Sequence, residues 1–432
     1  MQSHLILQWA LILGLAFTVY GCYFMAIAFA GNILKRRTIP AAPPVKRLAA
    51  IIPARNEQAV VPKMVDSLLR QRYPRTLFDI YVVPNNCTDN TRKAALDAGA
   101  MVLDCDVEVH SKGEVLRWTF EKLMNGEKQY DAFCIFDADN VADGGFFQAT
   151  NNALVAGYGV AQGYRDSKNP DDNWVAGCTS IFFWFMNRYF NHARFAMKMS
   201  ASLNGTGIMF SADTIRKVGF DTCTLTEDQE FTGICAINGI KIGWMEDAIT
   251  YDEQPITLRD SFTQRRRWGA GTLQCFLHYG KALFRAIREK RSLDALDVLI
   301  VFAGTPLQGL GIASFALCVA EFFRQFVTLG PRAAVMWAVY ATLMGLASTF
   351  VGGFFSVVVV CTAEKKWSRA RLQCLFMMGC YLLTWMPANM LALVTRPPKW
   401  VQIPHVMVVG IDDRMVEPPA PSRYGAKETD VS

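Results

Sequence analysis

The chain has 432 residues, room for one large domain or two ordinary ones, and its 52% apolar content exceeds the usual soluble range. The apolar excess gathers at the N-terminus and in the last third, while residues 45–292 read like a soluble α/β protein. A net charge of +6 without a dense Lys/Arg run excludes nucleic acid as a partner, and the cysteines, lacking any C-x-x-C pair or zinc-like spacing, read as reduced thiols.

Leu5 to Leu34 carries no charge and is closed by Lys35, Arg36 and Arg37. About twenty apolar residues span a bilayer. A signal peptide would be shorter and basic at its start, so the run predicts a retained anchor. The basic cluster, joined by Lys46 and Arg47, predicts a cytosolic domain after it.

Strands then alternate with helices. Leu48–Pro53 is an apolar strand running into Pro53-Ala54-Arg55-Asn56-Glu57, followed by a helix up to Gln71. Asp79–Val83 is the next strand, and Asn85-Asn86-Cys87-Thr88-Asp89 turns into a helix ending at Ala98. Met101–Asp104 is a third strand, Gly113–Met124 a helix, and Ala132–Phe136 a buried strand leading into Asp137-Ala138-Asp139. Such alternation predicts right-handed crossovers and a largely parallel sheet. Ligands bind beyond the carboxyl ends of such strands, where Arg55, Glu57, Asn85, Asp137 and Asp139 fall.

Asp137 and Asp139 repel each other unless a cation joins them. A hard divalent ion, Mg²⁺ or Mn²⁺, fits two such carboxylates and can bridge a nucleotide diphosphate. Thr226-Glu227-Asp228 precedes a helical stretch over Gln229–Asn238. Helix capping needs one short acceptor, whereas Glu227, Asp228 and Glu230 crowd together here, which suits a group that takes a proton from an acceptor hydroxyl. Gln264-Arg265-Arg266-Arg267-Trp268 has two readings. It is a basic amphipathic stretch on lipid headgroups, continued by Leu273–Ile287, or it lines an acceptor channel, with Trp268 under a sugar ring and an arginine on a diphosphate.

Three further apolar blocks occupy residues 298–327, 333–362 and 372–394. Lys365, Lys366, Arg369 and Arg371 predict a cytosolic loop between the last two, so the first two form a hairpin turning near Gly330 and Pro331. The third block is interrupted by Thr384, Pro387 and Asn389, and Arg396 and Lys399 follow it. It either crosses the membrane or re-enters, with the second path favoured.

Taken in order, Pro53-Ala54-Arg55-Asn56-Glu57, the turn at 85–89, Lys112-Gly113, Asp137-x-Asp139, Asn204-Gly205-Thr206-Gly207, Thr226-Glu227-Asp228 and Gln264-x-x-Arg267-Trp268 resemble the processive branch of family-2 glycosyltransferases, which includes hyaluronan, chitin, cellulose and poly-N-acetylglucosamine synthases. The resemblance implies an α/β, GT-A (Rossmann-like) cytosolic domain between N- and C-terminal transmembrane helices, in a multi-pass protein of the cell membrane. It divides the chain into an anchor (1–37), a catalytic domain (45–270), amphipathic interface helices (271–292), a membrane region (293–394) and a gate-like segment with a flexible tail (395–432).

The resemblance also implies a UDP-sugar donor. Pro53, Arg55, Glu57 and Asn85 would surround the uridine, Lys112 would lie near the nucleotide, and Asp137 would approach the ribose or diphosphate. Asp139 would hold the Mg²⁺ or Mn²⁺. Within Thr226-Glu227-Asp228, Asp228 would be the general base of an inverting in-line attack. Gly205, Thr206, Gln264, Arg267 and Trp268 would sit at the acceptor. The family usually has Asp where this chain has Asn85, whose carbonyl still accepts from a uracil N–H. Lys399 to His405 resembles a gating segment, with Trp400 and His405 closing over the nucleotide.

Two activities fit these residues. A processive synthase would elongate a β-linked polysaccharide and translocate it through the bilayer; a non-processive transferase would add one sugar to a membrane lipid. The intact Gln264-x-x-Arg267-Trp268 motif favours the first, and accessory subunits stay open. A transporter or receptor with a nucleotide-sensing domain is disfavoured, because sensing does not need carboxylates at both Asp139 and Asp228.

Overall fold

A computed structural model describes residues 2–395; Trp400 and His405 lie outside the described residues. The chain opens with α1 (Gln2–Ile33), an apolar helix with no charged residue in either end turn. The catalytic-type sheet then begins with β1 (Leu48–Ala54), α2 (Val61–Leu69), β2 (Phe78–Pro84), α3 (Thr91–Asp97), β3 (Met101–Val102), α4 (Lys112–Met124) and β4 (Ala132–Ile135). It continues through β5 (Val141–Ala142), α5 (Phe146–Val155), β6 (Val160–Ser167), α6 (Trp174–Phe185), a π-helical turn over Met186–His192, and α7 (Ala193–Ala196). β7 (Ile208–Ser211), α8 (Ala212–Val218), α9 (Glu227–Asn238) and β8 (Ile242–Asp252) complete it.

The strands form one eight-stranded sheet in the order β3-β2-β1-β4-β7-β6-β8-β5. Alternate residues of a strand face opposite sides, and both sides are covered. Ala49, Ile51, Phe133 and Ile135 pack against α4, α6 and α9, whereas Leu48, Ala50, Ile52 and Cys134 pack against α2 and α5. Burial on both faces accounts for the unbroken apolar runs of β1 and β4.

The parallel arrangement expected holds for β3, β2, β1 and β4 and again for the β6–β8 pair. β7 runs antiparallel between β4 and β6, and β5 runs antiparallel to β8. Helices still separate β5, β6, β7 and β8, so the alternation continues while β7 enters the sheet reversed between β4 and β6. The strand expected over Met101–Asp104 is shorter, Met101–Val102, with one further backbone bond from Leu103 N to Val82 O at 3.0 Å.

Beyond the sheet come α10 (Leu258–Lys290), α11 (Leu293–Phe302), α12 (Gly304–Leu329), α13 (Pro331–Ala363), α14 (Cys374–Leu383) and α15 (Trp385–Val394). The division expected between 270 and 271 falls inside α10, a single helix capped by Thr257, whose side chain accepts from Asp260 N. Among the described residues, four stretches are long and apolar enough to cross a membrane: Ile12–Ile33, Gly304–Leu329, Pro331–Ala363 and Ala370–Val394. The last is two helices, broken at Thr384.

These helices are fastened to the sheet by buried charge and by shared core. Arg194 pairs with Asp297 of α11 at 2.8 and 2.9 Å, Tyr23 of α1 donates to the same carboxylate at 2.6 Å, and the guanidinium lies 3.5 Å from the Phe190 ring centre. The loop between α13 and α14 is held against β6 and α6. Lys366 bonds Asp166 at 2.5 Å, Tyr164 donates to Glu364 at 2.8 Å, and Ser368 donates to Asp171 at 2.6 Å. Val357 of α13 and Tyr381 of α14 belong to the same buried cluster as Phe133.

Candidate active site

One cavity of about 740 Å³ collects most of the residues that the sequence singled out: Pro53, Arg55, Glu57, Asn85, Lys112, Asp137, Asp139, Gly205, Thr226, Glu227, Asp228, Gln264, Arg267 and Trp268 all line it. The strand ends of β1 and β2 supply the first four. Asn85 donates from its backbone and its side chain to Ala54 O, at 2.9 and 3.1 Å, which ties the two strand-end loops together.

Lys112 begins α4, where Ser111 accepts from Glu114 N at 3.2 Å. Its ammonium donates to Asp137 Oδ1 at 2.5 Å and to Gly205 O at 2.7 Å, and lies 3.6 Å from Glu227 Oε1. Burial alone would push the ammonium towards its neutral form, but Asp137, Glu227 and Asp228 reverse this and raise its pKa. The same pairing holds the Asp137 carboxyl below its ordinary range, against the effect of burial.

Thr206 does not reach the cavity. It is fully buried, and its hydroxyl accepts from Asp137 N at 3.1 Å and donates to Asn140 Oδ1. The expectation that it meets an acceptor is therefore corrected: a β-branched hydroxyl next to a glycine turn is used inward, to hold the Asp137–Asn140 loop. Gly205 takes φ +84°, a conformation that glycine adopts without steric cost, and a Cβ there would lie 3.6 Å from Asp228 Oδ2.

Asp228 sits in the first turn of α9. Thr226 occupies the N-cap position without a capping hydrogen bond, and its hydroxyl lies 3.9 Å from Cys275 Sγ on α10. Asp228 accepts from Gln229 N at 2.8 Å. Burial, then the neighbouring Glu227 carboxylate, push its pKa up to about 7, although the Gln229 amide, Lys112 and Arg267 pull the other way. Such a carboxyl is poised to exchange a proton at neutral pH. Glu230 is a different case: fully buried, it accepts from Cys223 N, Thr224 N and the Tyr279 hydroxyl at 2.9, 2.7 and 2.6 Å, and so fixes the loop before α9.

Successive helical residues point about 100° apart, and this separates the arginines of α10. Arg265 is buried against the break in the third apolar block, donating to Thr384 Oγ1 at 2.7 Å and to Tyr381 O at 3.2 Å. Arg266 reaches Thr395 at 2.9 Å. Arg267 lines the cavity and donates to Leu225 O at 3.4 Å. Trp268 packs with Phe182, Phe183 and Trp385, at ring-centre separations of 6.3, 5.9 and 6.2 Å.

Sequence reasoning missed several lining residues. Arg165 of β6 and Asp252 of β8 form a buried ion pair at 2.5 Å. Burial raises the Asp252 carboxyl to about 6, with Arg165 lowering it and Asp139 and Asp137 raising it further. Asp252 Oδ1 is buried without a hydrogen-bond partner, an arrangement that suits a cation beside Asp139. Among the described residues no three His, Cys, Asp or Glu side chains converge on one point. A metal here would take one or two carboxylates and complete its shell with phosphate and water, as Mg²⁺ sites commonly do. A strand running into an acid was the available signal for Asp252, the same one that marked Asp137. Phe182, Phe183, Gln308, Trp385 and Asn389 line the opposite end, and no motif marks them.

The profile of the family described as "Glycosyltransferase like family 2" matches residues 43–271. Over 431 residues the chain is 23% identical to the beta-monoglucosyldiacylglycerol synthase of Synechocystis sp., covering 92% of this chain and 86% of that one. It is 24% identical over 345 residues to the probable glycosyltransferase YdaM of Bacillus subtilis, covering 77% and 79%. A solved mannosyltransferase from Pyrobaculum calidifontis, in complex with GDP-mannose and Mn²⁺, superposes with a TM-score of 0.60 at 17% identity, covering 89% of this chain and 99% of that one. The shared architecture is the GT-A-like fold.

Proposed function

Since the chain belongs to the glycosyltransferase-like family 2, across residues 43–271, and is a glycosyltransferase, we propose that it transfers a single sugar from a UDP-sugar to a lipid acceptor that reaches Asp228 from the membrane side. The observation that carries this reading is the course of the cavity. It runs from Asn85 and Lys112 past Asp228 to Gln308 of α12 and Asn389 of α15. Among the described residues its lining goes no deeper into α12 than Gln308 and includes none of α1 or α13. A short recess ending at the membrane surface suits a lipid headgroup better than a growing chain that must be threaded across. The relationship to synthases named for monoglucosyldiacylglycerol weighs the same way. The processive reading favoured by the motifs has less support, because those motifs describe donor and base chemistry that both activities share.

In this account Pro53, Arg55, Glu57 and Asn85 hold the nucleoside, and Lys112 lies at the diphosphate. Asp139, with the unpartnered oxygen of Asp252 nearby, would hold a divalent cation. When bound, that cation neutralises charge on the departing diphosphate. Asp228 takes the proton of the acceptor hydroxyl as its oxygen attacks the anomeric carbon. The bond from that carbon to the diphosphate oxygen breaks, UDP leaves with the electron pair, and the configuration inverts. Arg267 faces the same space, and Trp268, stacked on Phe182 with Phe183 edge-on to it, forms an apolar wall for the acceptor.

The catalytic domain is cytosolic in this proposal, where nucleotide sugars are made. Contacts of the α13–α14 loop with Asp166 and Asp171 support an out-and-back path for α12 and α13. The third block re-enters: α14 begins beside Trp174, with Cys374 Sγ 3.9 Å from its carbonyl, and α15 ends at Arg266, 2.9 Å from Thr395. Purified protein given each radiolabelled UDP-sugar and dioleoylglycerol in mixed vesicles should yield an organic-soluble product carrying one added sugar. A water-soluble product of many sugars would overturn the proposal.

A further inference from the structure

A polar side chain in the first turns of a membrane helix is costly unless it is paired or faces a cavity. Gln308 lies one turn into the apolar stretch that begins at Gly304, and it faces the cavity that contains Asp228. Its carboxamide oxygen accepts from Asn389 Nδ2 at 2.6 Å. In that arrangement the Gln308 oxygen faces Asn389, and Asn389 Oδ1 is itself buried without a hydrogen-bond partner. Its NH₂ group has no partner among the described residues.

Asn389 is itself locked. It is 4% exposed, and its own oxygen lies against Gly269 of α10, where a Cβ would collide with it. Thr305 of α12 donates to the Gly269 carbonyl at 3.2 Å, so α10, α12 and α15 meet at one glycine. The three-helix contact holds the Gln308 carboxamide at the cavity wall, one turn into α12, with its two N–H donors unpartnered among the described residues.

We propose that Gln308 recognises the acceptor, donating to a proton-free oxygen next to the reacting hydroxyl, and that Asn389 is the positioning residue that orients it. A pure donor at that depth selects for a glycerol ester carbonyl, and so for diacylglycerol-type acceptors over simple long-chain alcohols. This rests on the lipid-acceptor reading above and adds to it the chemical feature by which the lipid is chosen.

The test compares dioleoylglycerol with oleyl alcohol as acceptors in nanodiscs, for the wild type, Gln308→Leu and Gln308→Glu. At mildly alkaline pH the glutamate still accepts from Asn389 but offers no donor, so it separates recognition from the helix contact. Both variants should raise KM for dioleoylglycerol about tenfold, the size expected for one lost hydrogen bond to ligand. The preference for dioleoylglycerol over oleyl alcohol should fall towards one, while the Kd for UDP stays within a factor of two. If Gln308→Leu fails to bind UDP, Gln308→Glu carries the comparison. An unchanged KM and preference in the glutamate variant would overturn the inference and leave the lipid-acceptor reading standing. A wild type that glycosylates neither lipid would overturn both.

Discussion

Arg165, near the end of β6, pairs with Asp252, at the end of β8, at 2.5 Å in the lining of the site, and the guanidinium also donates to Asn204 O at 2.9 Å and lies 4.0 Å from the Phe183 ring centre. The pair connects Asp139 and Asp137, whose charges act on Arg165, to the aromatic ring of Phe183. Removing one member of a buried pair leaves the other uncompensated. Arg165→Met should therefore cost about 3–5 kcal/mol in denaturant unfolding, and the double variant with Asp252→Asn should recover part of that loss. Equal stability of the single and double variants would show that the charges are not coupled.

The raised Asp228 carboxyl gives a pH dependence with a definite sign. A base must be ionised to accept a proton, and a carboxyl with a pKa of about 7 is mostly protonated below that pH. Transfer kcat/KM should rise about tenfold per pH unit below 7 and level off above it. Glu227→Gln removes the second-largest cause of the raised pKa and should move the rising limb to lower pH. A profile flat between pH 5 and 8 would contradict the assignment.

The donor side carries a metal prediction with a readout independent of turnover. Asp139→Asn should raise the Mn²⁺ concentration needed for half-maximal UDP binding by tenfold or more, and excess EDTA should weaken UDP binding to the wild type. Titration of UDP against Mn²⁺ checks both. UDP binding indifferent to EDTA would place the diphosphate on protein groups alone.

Gly271 of α10 packs directly on Thr226, so a Cβ there would meet the threonine's side chain. Thr226 lies two residues before Asp228. Gly271→Ala should shift that turn and lower transfer at least tenfold, while UDP binding, centred on β1, β2 and α4, changes little. Normal transfer in this variant would mean that the turn is free to adjust.

Much of the strand-end half of the cavity was legible. The apolar runs of β1, β2 and β4 are buried on both faces, and the polar residues that follow them stand where a parallel sheet places its ligands. The acidic pairs at 137–139 and 227–228 were visible for the same reason: crowded carboxylates need a cation, a proton or a partner. Thr206 was misread because sequence does not show which way a hydroxyl turns. Arg267 was set apart by its motif, but nothing local told Arg265 and Arg266 from a basic face, and the packing of α14 and α15 gives the three arginines different surroundings. Arg165, Asp252 and Gln308 belong to elements brought to the site by long-range pairing, and no local pattern reports it. Gln308, Trp385 and Asn389, at the far end of the cavity, belong to no motif.

The central claim is that a single carboxylate, Asp228, performs the proton transfer between a cytosolic donor pocket and an acceptor arriving at the membrane end. The most direct measurement is the single-turnover rate of sugar transfer to dioleoylglycerol by Asp228→Asn, alongside its Kd for UDP. The account predicts a Kd within a few-fold of the wild type and a rate lower by about 10²–10⁴-fold, the usual contribution of a general base. A variant that binds UDP normally and transfers sugar at the wild-type rate would contradict it.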